Sequence, residues 1–291
     1  MHVSISVRFK KILKKQKMIE DGKTIFVPWD FKGVSEYALD HALFYSSKSK
    51  LDICLIYVVK KKSLVKETKS KLDAIAADVL EKKGKQVSTI VEVGSFHSGL
   101  KKAADKHQAA MIFVGIDGFK GIQKYIGTNI LNVLSGAVIP SVVVQKPKHP
   151  RSTFSIVCPI DQRKESKLLL RWISFLSRFM HLKVYLAYPE FEESGQNKKI
   201  FSNVSFAKNF LKNEKIDFET ECFSIYDFNN SIVNFSRKFG VDLILNLTKK
   251  AGGYRSFFTT PKSHYLIANS EKIPVMCITP TPGLWKFTPF K

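Results

Sequence analysis

Residues 24–30 read TIFVPWD and residues 155–161 read SIVCPID, two apolar runs that both close on Pro-x-Asp and lie 131 residues apart. The interval recurs. AAMIFVG at 109–115 meets GVDLILN at 240–246 at the same offset, and IPSVVV from Ile139 meets IPVMCI from Ile273 at an offset of 134. Strand-like runs that return in the same order at a near-constant interval indicate a duplicated domain. A chain of 291 residues suits two cores better than one. The copies meet at KPKHPRS, residues 146–152, whose composition is that of a linker. The expected organisation is a basic extension over 1–22, a first domain over 23–146, a second over 152–280 and a tail over 281–291.

Outward from TIFVPW, strand-like runs alternate with helical patterns. A helix is expected from about Gly33 to Ser46, then the run LDICLIYVV, then a long helix from about Ser63 to Lys83. VSTIVEV, a helix near Ser98 to His107, AAMIFVG, a glycine-bearing loop, a helix near Thr128 to Ser135 and PSVVVQ complete the first copy. Strands separated by helices of this length imply βαβ crossovers and a parallel sheet covered on both faces. Right-handed crossovers with the first strand central give the order 3-2-1-4-5. The expected fold class is therefore α/β: two tandem doubly wound five-stranded parallel-sheet domains, Rossmann-like.

In such a sheet the ligand crevice opens beyond the carboxyl ends of the two strands where the winding reverses, here the first and the fourth. Pro28, Trp29 and Asp30 end the first strand, and Gly115, Ile116, Asp117 and Gly118 end the fourth. Glycines let backbone amides approach a ligand closely, and Gly127-Thr128 opens the next helix, whose free amides and positive dipole end favour an anion. Asp30 is suited to accept hydrogen bonds from ribose hydroxyls. The alternative reading of the glycines is a tight strand-to-helix connection and nothing more.

The opening VPWD, the segment G-I-D-G-(eight residues)-G-T from Gly115 to Thr128 and the closing IPSVVV resemble the universal stress protein domain, over nearly all of residues 23–145. The resemblance implies ATP, with Mg²⁺, as cofactor: ribose contact for Asp30, phosphate contacts for Gly115, Gly118, Gly127 and Thr128, and an adenine pocket lined partly by Pro28. It implies a non-catalytic stress-response protein with no catalytic residues and no resident metal, while a cytoplasmic location is expected from the four cysteines, which suit reduced thiols better than a disulfide framework. It also implies pairing through the last strand of each domain, as self-association or as an intramolecular pseudo-dimer. Two departures stand out. The spacer is eight residues where the family has nine, and Asp117 brings a carboxylate near the phosphates, which is repulsive unless a divalent cation bridges them. A slow ATPase using Asp117 and a metal is the weaker alternative, and an interaction protein with both sites lapsed is the other.

The second copy keeps Pro159 and Asp161, but Asn246 stands at the place of Gly115 and Pro261-Lys262 at the place of Gly127-Thr128. Its phosphate cradle is missing. No Walker A loop survives inspection of GSFHSGLKK at 94–102, because Leu100 occupies the lysine position, and no GxGxxG follows a strand.

The formal charge of +22 divides as +4 in residues 1–22, +9 in 23–150 and +9 in 151–291, so the excess is diffuse. Seven of the 47 basic residues are arginine, which argues against sequence-specific nucleic-acid readout. No apolar run reaches the roughly 20 residues of a spanning helix. The acid-free first 17 residues lack the apolar centre and cleavage site of a secretory signal, and Met18 is an alternative start. Cys54, Cys158, Cys222 and Cys277 each fall in an apolar run and are expected as reduced core thiols. His41, His97 and His107 have no shared metal spacing and are expected to be packing or surface residues. Trp285, Phe287 and Phe290 in the tail are expected to cover a sheet edge or domain junction.

Overall fold

The computed structural model describes residues 22–117, 139–147, 153–191, 194–248 and 266–280. The described residues fall into two compact units divided at His149/Pro150. The extension over 1–21, the expected helix near Thr128, most of the linker, the loop over 249–265 and the tail from 281 lie outside the described residues.

The first unit runs β1 (Thr24–Pro28), α1 (Gly33–Ser49), β2 (Asp52–Val59), a 3₁₀ turn at Lys62–Leu64, α2 (Val65–Lys83), β3 (Ser88–Val93), α3 (Phe96–Lys106), β4 (Ala109–Gly115) and β5 (Ser141–Val144). All pairings within it are parallel, in the order β3-β2-β1-β4-β5. Central strands covered on both faces carry unbroken apolar runs, as in Ile25, Phe26 and Val27 of β1 and Ala109 to Val114 of β4, all buried. The outer strand β3 is only half-buried and mixes polar with apolar residues.

The second unit repeats the plan: β6 (Phe154–Pro159), a 3₁₀ turn at Lys164–Ser166, α4 (Lys167–Ser177), β7 (Leu182–Glu190), α5 (Ser194–Asn213), β8 (Asp217–Ser224), a 3₁₀ turn at Ile225–Asp227, α6 (Phe228–Lys238), β9 (Leu243–Leu247) and β10 (Val275–Ile278). Its strands are parallel in the order β8-β7-β6-β9-β10, the same winding. Lys183 of β7 stands opposite Asp217 of β8 and reaches Asp217 at 3.0 Å and Glu219 at 2.8 Å, an ion-pair fork that pins the register of the outer strands.

Helix ends follow from local chemistry. α2 stops at Gly84, whose left-handed φ of 63° lets its N–H close back on the Leu80 carbonyl. α3 begins at Ser95, whose hydroxyl accepts from the Ser98 N–H at 3.3 Å. The start of α1 lies directly on the end of β4: a Cβ on Gly115 would overlap the Val34 carbonyl. Glycine is therefore required there by packing alone.

Cys54, Cys158 and Cys277 are core residues as expected, but Cys222 is exposed, because β8 is an outer strand with alternating burial. Burial pushes the Cys54 thiol up to about 11 and the Cys277 thiol up to about 12. Partial burial, then the Glu190 carboxylate, raise Cys222 as well.

Two outcomes follow from this packing. Gly115→Ala should cost about 1–3 kcal/mol in urea unfolding through forced displacement of α1, and an unchanged midpoint would contradict the close approach. In the native protein a thiol reagent at about pH 8 should modify Cys222 first and slowly, accelerating as pH rises toward its raised pKa, while Cys54, Cys158 and Cys277 react only on unfolding, as peptide mapping after labelling would show.

Candidate functional site

β1 sits between β2 and β4, so the winding of the first unit reverses between β1 and β4. Pro28 ends β1 and is buried, Trp29 follows with its N–H donated to the Ile56 carbonyl at 2.8 Å, and Asp30 emerges half-buried at the rim. Asp30 Oδ1 accepts from the Lys32 N–H at 2.9 Å and the Ser35 hydroxyl at 2.5 Å, while the Asp30 N–H donates to Ser35 Oγ at 3.0 Å. This turn launches α1 and fixes the carboxylate. Among the described residues its second oxygen, Oδ2, has no hydrogen-bond donor against it.

Gly115 and Asp117 reach the same end of the sheet on β4, Gly115 beneath α1 and Asp117 exposed. Gly118, Gly127 and Thr128 lie outside the described residues. The structure thus places Pro28, Asp30 and Gly115 at the same end of the sheet, where β1 and β4 lie side by side. Trp29 adds what the pattern gave no reason to single out: its indole Nε1–H is buried and unpartnered in a side chain only 6% exposed.

The second unit builds the same turn with a different outcome. Asp161 Oδ1 accepts from the Arg163 N–H at 2.8 Å, matching Asp30 and Lys32 one repeat earlier. Here, however, the Arg163 guanidinium folds back so that Nε and Nη2 both lie 2.6 Å from Asp161 Oδ2. Both nitrogens converge on that one oxygen, and the ion pair occupies it. Asn203 donates to the Asp161 and Arg163 carbonyls at 2.8 and 3.2 Å and holds the turn. Next to it lies a cavity of about 290 Å³ lined by Pro159, Pro189, Phe191, Phe228, Asn246 and Leu266 among others. The sequence showed the loss of the glycines but not this cavity, since its walls come from segments scattered between residues 159 and 266.

The histidines pack rather than gather. His41 is buried, stacks on Phe113 and donates from Nε2 to the Lys146 carbonyl at 3.1 Å. His107 lies beside Phe26. Among the described residues no group of three or more His, Cys, Asp or Glu side chains gathers as for a metal, and no helix is long and apolar enough to cross a membrane. A groove along β3 is lined by Lys62, Lys66, Lys69 and Lys102, of which Lys69 and Lys102 are paired with Asp73 and Glu92, a solvated surface away from both crevices.

No family profile matches the sequence, and no curated protein matches it. Solved structures do. A universal stress protein from Archaeoglobus fulgidus DSM 4304 superposes with a TM-score of 0.67 at 17% identity, covering 89% of this chain and 99% of its own. A protein provisionally named a universal stress protein, from Pseudomonas aeruginosa UCBPP-PA14, gives 0.61 at 15% identity over 90% of this chain and 95% of its own. A protein of unknown function from Pseudomonas aeruginosa PAO1 gives 0.58 at 16% identity, covering 90% and 94%. The chain resembles these universal stress protein structures across both units, and the fold it shares with them is the Rossmann-like α/β fold read from its repeats.

Proposed function

We propose that the chain is a non-catalytic stress-response protein that binds ATP, with Mg²⁺, in the crevice of its first unit. Asp30 carries the reading. It stands where the winding reverses, is oriented by Ser35 and Lys32, and keeps Oδ2 open for ribose hydroxyls, whereas its counterpart Asp161 is sealed by Arg163. Pro28 would line the adenine side, and Gly118, Gly127 and Thr128 would supply phosphate contacts through backbone amides and a hydroxyl. The bound nucleotide would bring a triphosphate whose charge biases the surrounding loop toward one conformation, and so alter which partners the protein engages. Cytoplasmic location and self-association through the closing strands are part of the same proposal.

A second reading has its own support. Gly115 is required by the close approach of α1 whether or not a ligand binds, so this glycine also suits an interaction protein that has no nucleotide.

Calorimetry with Mg²⁺ and ATP separates the two. Binding is expected to the wild-type protein, to fall about tenfold or more in Asp30→Ala through loss of a charge-assisted hydrogen bond, and to vanish in Gly127→Val, Thr128→Val. Lys32→Arg should weaken it too, by giving Asp30 the guanidinium that closes Asp161. A folded wild-type protein that binds no ATP at millimolar concentration would leave the interaction-protein reading.

A further inference from the structure

β3 in the first unit and β8 in the second are outer strands: among the described residues each is hydrogen-bonded on one side alone, to β2 and to β7. The other side presents unpaired backbone N–H and C=O groups, which take up a further strand unless the flanking side chains forbid it. The two edges differ in charge. Beside β3, Lys62, Lys66, Lys69 and Lys102 surround Val91 and Val93, the latter 44% exposed. Lys69 is paired with Asp73 and Lys102 with Glu92, whereas Lys62 and Lys66 are exposed and enter no ion pair among the described residues. β8, DFETECFS, holds three carboxylates and no base in a chain whose formal charge is +22. Asp217 and Glu219, both more than half exposed, share the single Lys183, and Glu221 enters no ion pair among the described residues. Along this strand runs a groove lined by Phe223, Phe235 and Phe239, the last 48% exposed. Its own cations are engaged: Arg237 faces Glu271 at 4.0 Å and Lys238 lies over the Phe239 ring.

We propose that the β3 edge of one copy of this chain docks on the β8 edge of a second copy, joining copies head to tail. Sign chooses the partner. Pairing β3 with β3 would set Lys62 and Lys66 against their own duplicates, and pairing β8 with β8 would do the same to Asp217, Glu219 and Glu221, so each edge is protected from itself. Neither is protected from the other. Exposed ion pairs are worth little and act here by selecting the partner and speeding encounter. Val91 and Val93 against Phe223 and Phe239 supply the apolar contact that such pairs lack. Because the two surfaces differ, the contact is heterologous: a pair of copies still has one edge of each kind free, and the series continues into rings or open chains. This contact is separate from pairing through β5 and β10 and independent of nucleotide binding in the first unit.

Sedimentation velocity of the full chain between about 5 and 500 µM tests this, a span suited to a small, weak interface. Species beyond the dimer are expected to grow with concentration at about 50 mM salt and to recede at about 0.5 M, where exposed charges are screened. Lys62→Glu, Lys66→Glu should raise the concentration needed about tenfold, and Glu221→Lys several-fold, by placing like charges together. None of the three residues is buried, so the melting temperature should stay at the wild-type value. All three changes in one chain should associate better than the lysine reversals alone, since opposite charges then face each other again. Amide hydrogen exchange in the concentrated wild-type protein should slow over 88–93 and 217–224 together. A chain that stays monomeric or stops at the dimer, association that the lysine reversals leave unchanged, a triple variant no better than the double, or slowing confined to 141–144 and 275–278 would each overturn the proposal.

Discussion

A parallel strand cannot turn back directly into its neighbour, so each crossover in this chain carries a helix across one face of the sheet, and covering both faces obliges the winding to reverse once. That reversal governs the molecule. It falls between β1 and β4 in the first unit and between β6 and β9 in the second. In an open parallel sheet such a reversal is where a crevice forms, and in the second unit a cavity of about 290 Å³ lies there. The Pro-x-Asp that ends each first strand is the device that manages the exit: proline closes the strand, and the aspartate captures the N–H two residues on to start the helix.

Around that shared turn, two substitutions at equivalent positions set the described residues of the copies apart. Lys32 becomes Arg163, and a planar fork reaches the aspartate's second oxygen, closing it. Gly115 becomes Asn246. In the first unit α1 is helical from Gly33 and its Val34 carbonyl lies against Gly115, whereas the corresponding stretch of the second unit, Lys164–Ser166, is a 3₁₀ turn and α4 begins at Lys167. A side chain is present where the first unit has no room for one. The two changes together convert an open carboxylate beside a glycine into a closed ion pair beside an amide.

Much of this was legible in the sequence because the fold rests on burial patterns. Continuous apolar runs such as AAMIFVG mark strands covered on both faces, and the 131-residue echo carries the strand order from one unit to the other. Residue 30, and residue 161 as its counterpart, could be singled out by their place after a strand. Other features had no such signal. Cys222 reads as one more apolar-run cysteine, since DFETECFS betrays an outer strand only once its neighbours are known. Whether Asp161 is open depends on a rotamer of Arg163, which no pattern encodes. The second cavity needs walls from β6, β7, α6 and β9 at once, and sequence spacing does not report that convergence.

A buried donor without a partner costs about 1–3 kcal/mol, a large share of the 5–15 kcal/mol by which ordinary domains are stable. Trp29 Nε1 is such a donor, and it lies at the carboxyl end of β1, which borders the winding reversal of the first unit. Phenylalanine would fill this place without leaving a donor bare. A cost of this kind is most easily sustained where something other than the fold selects the residue, and a winding reversal is where the parallel architecture leaves space for it.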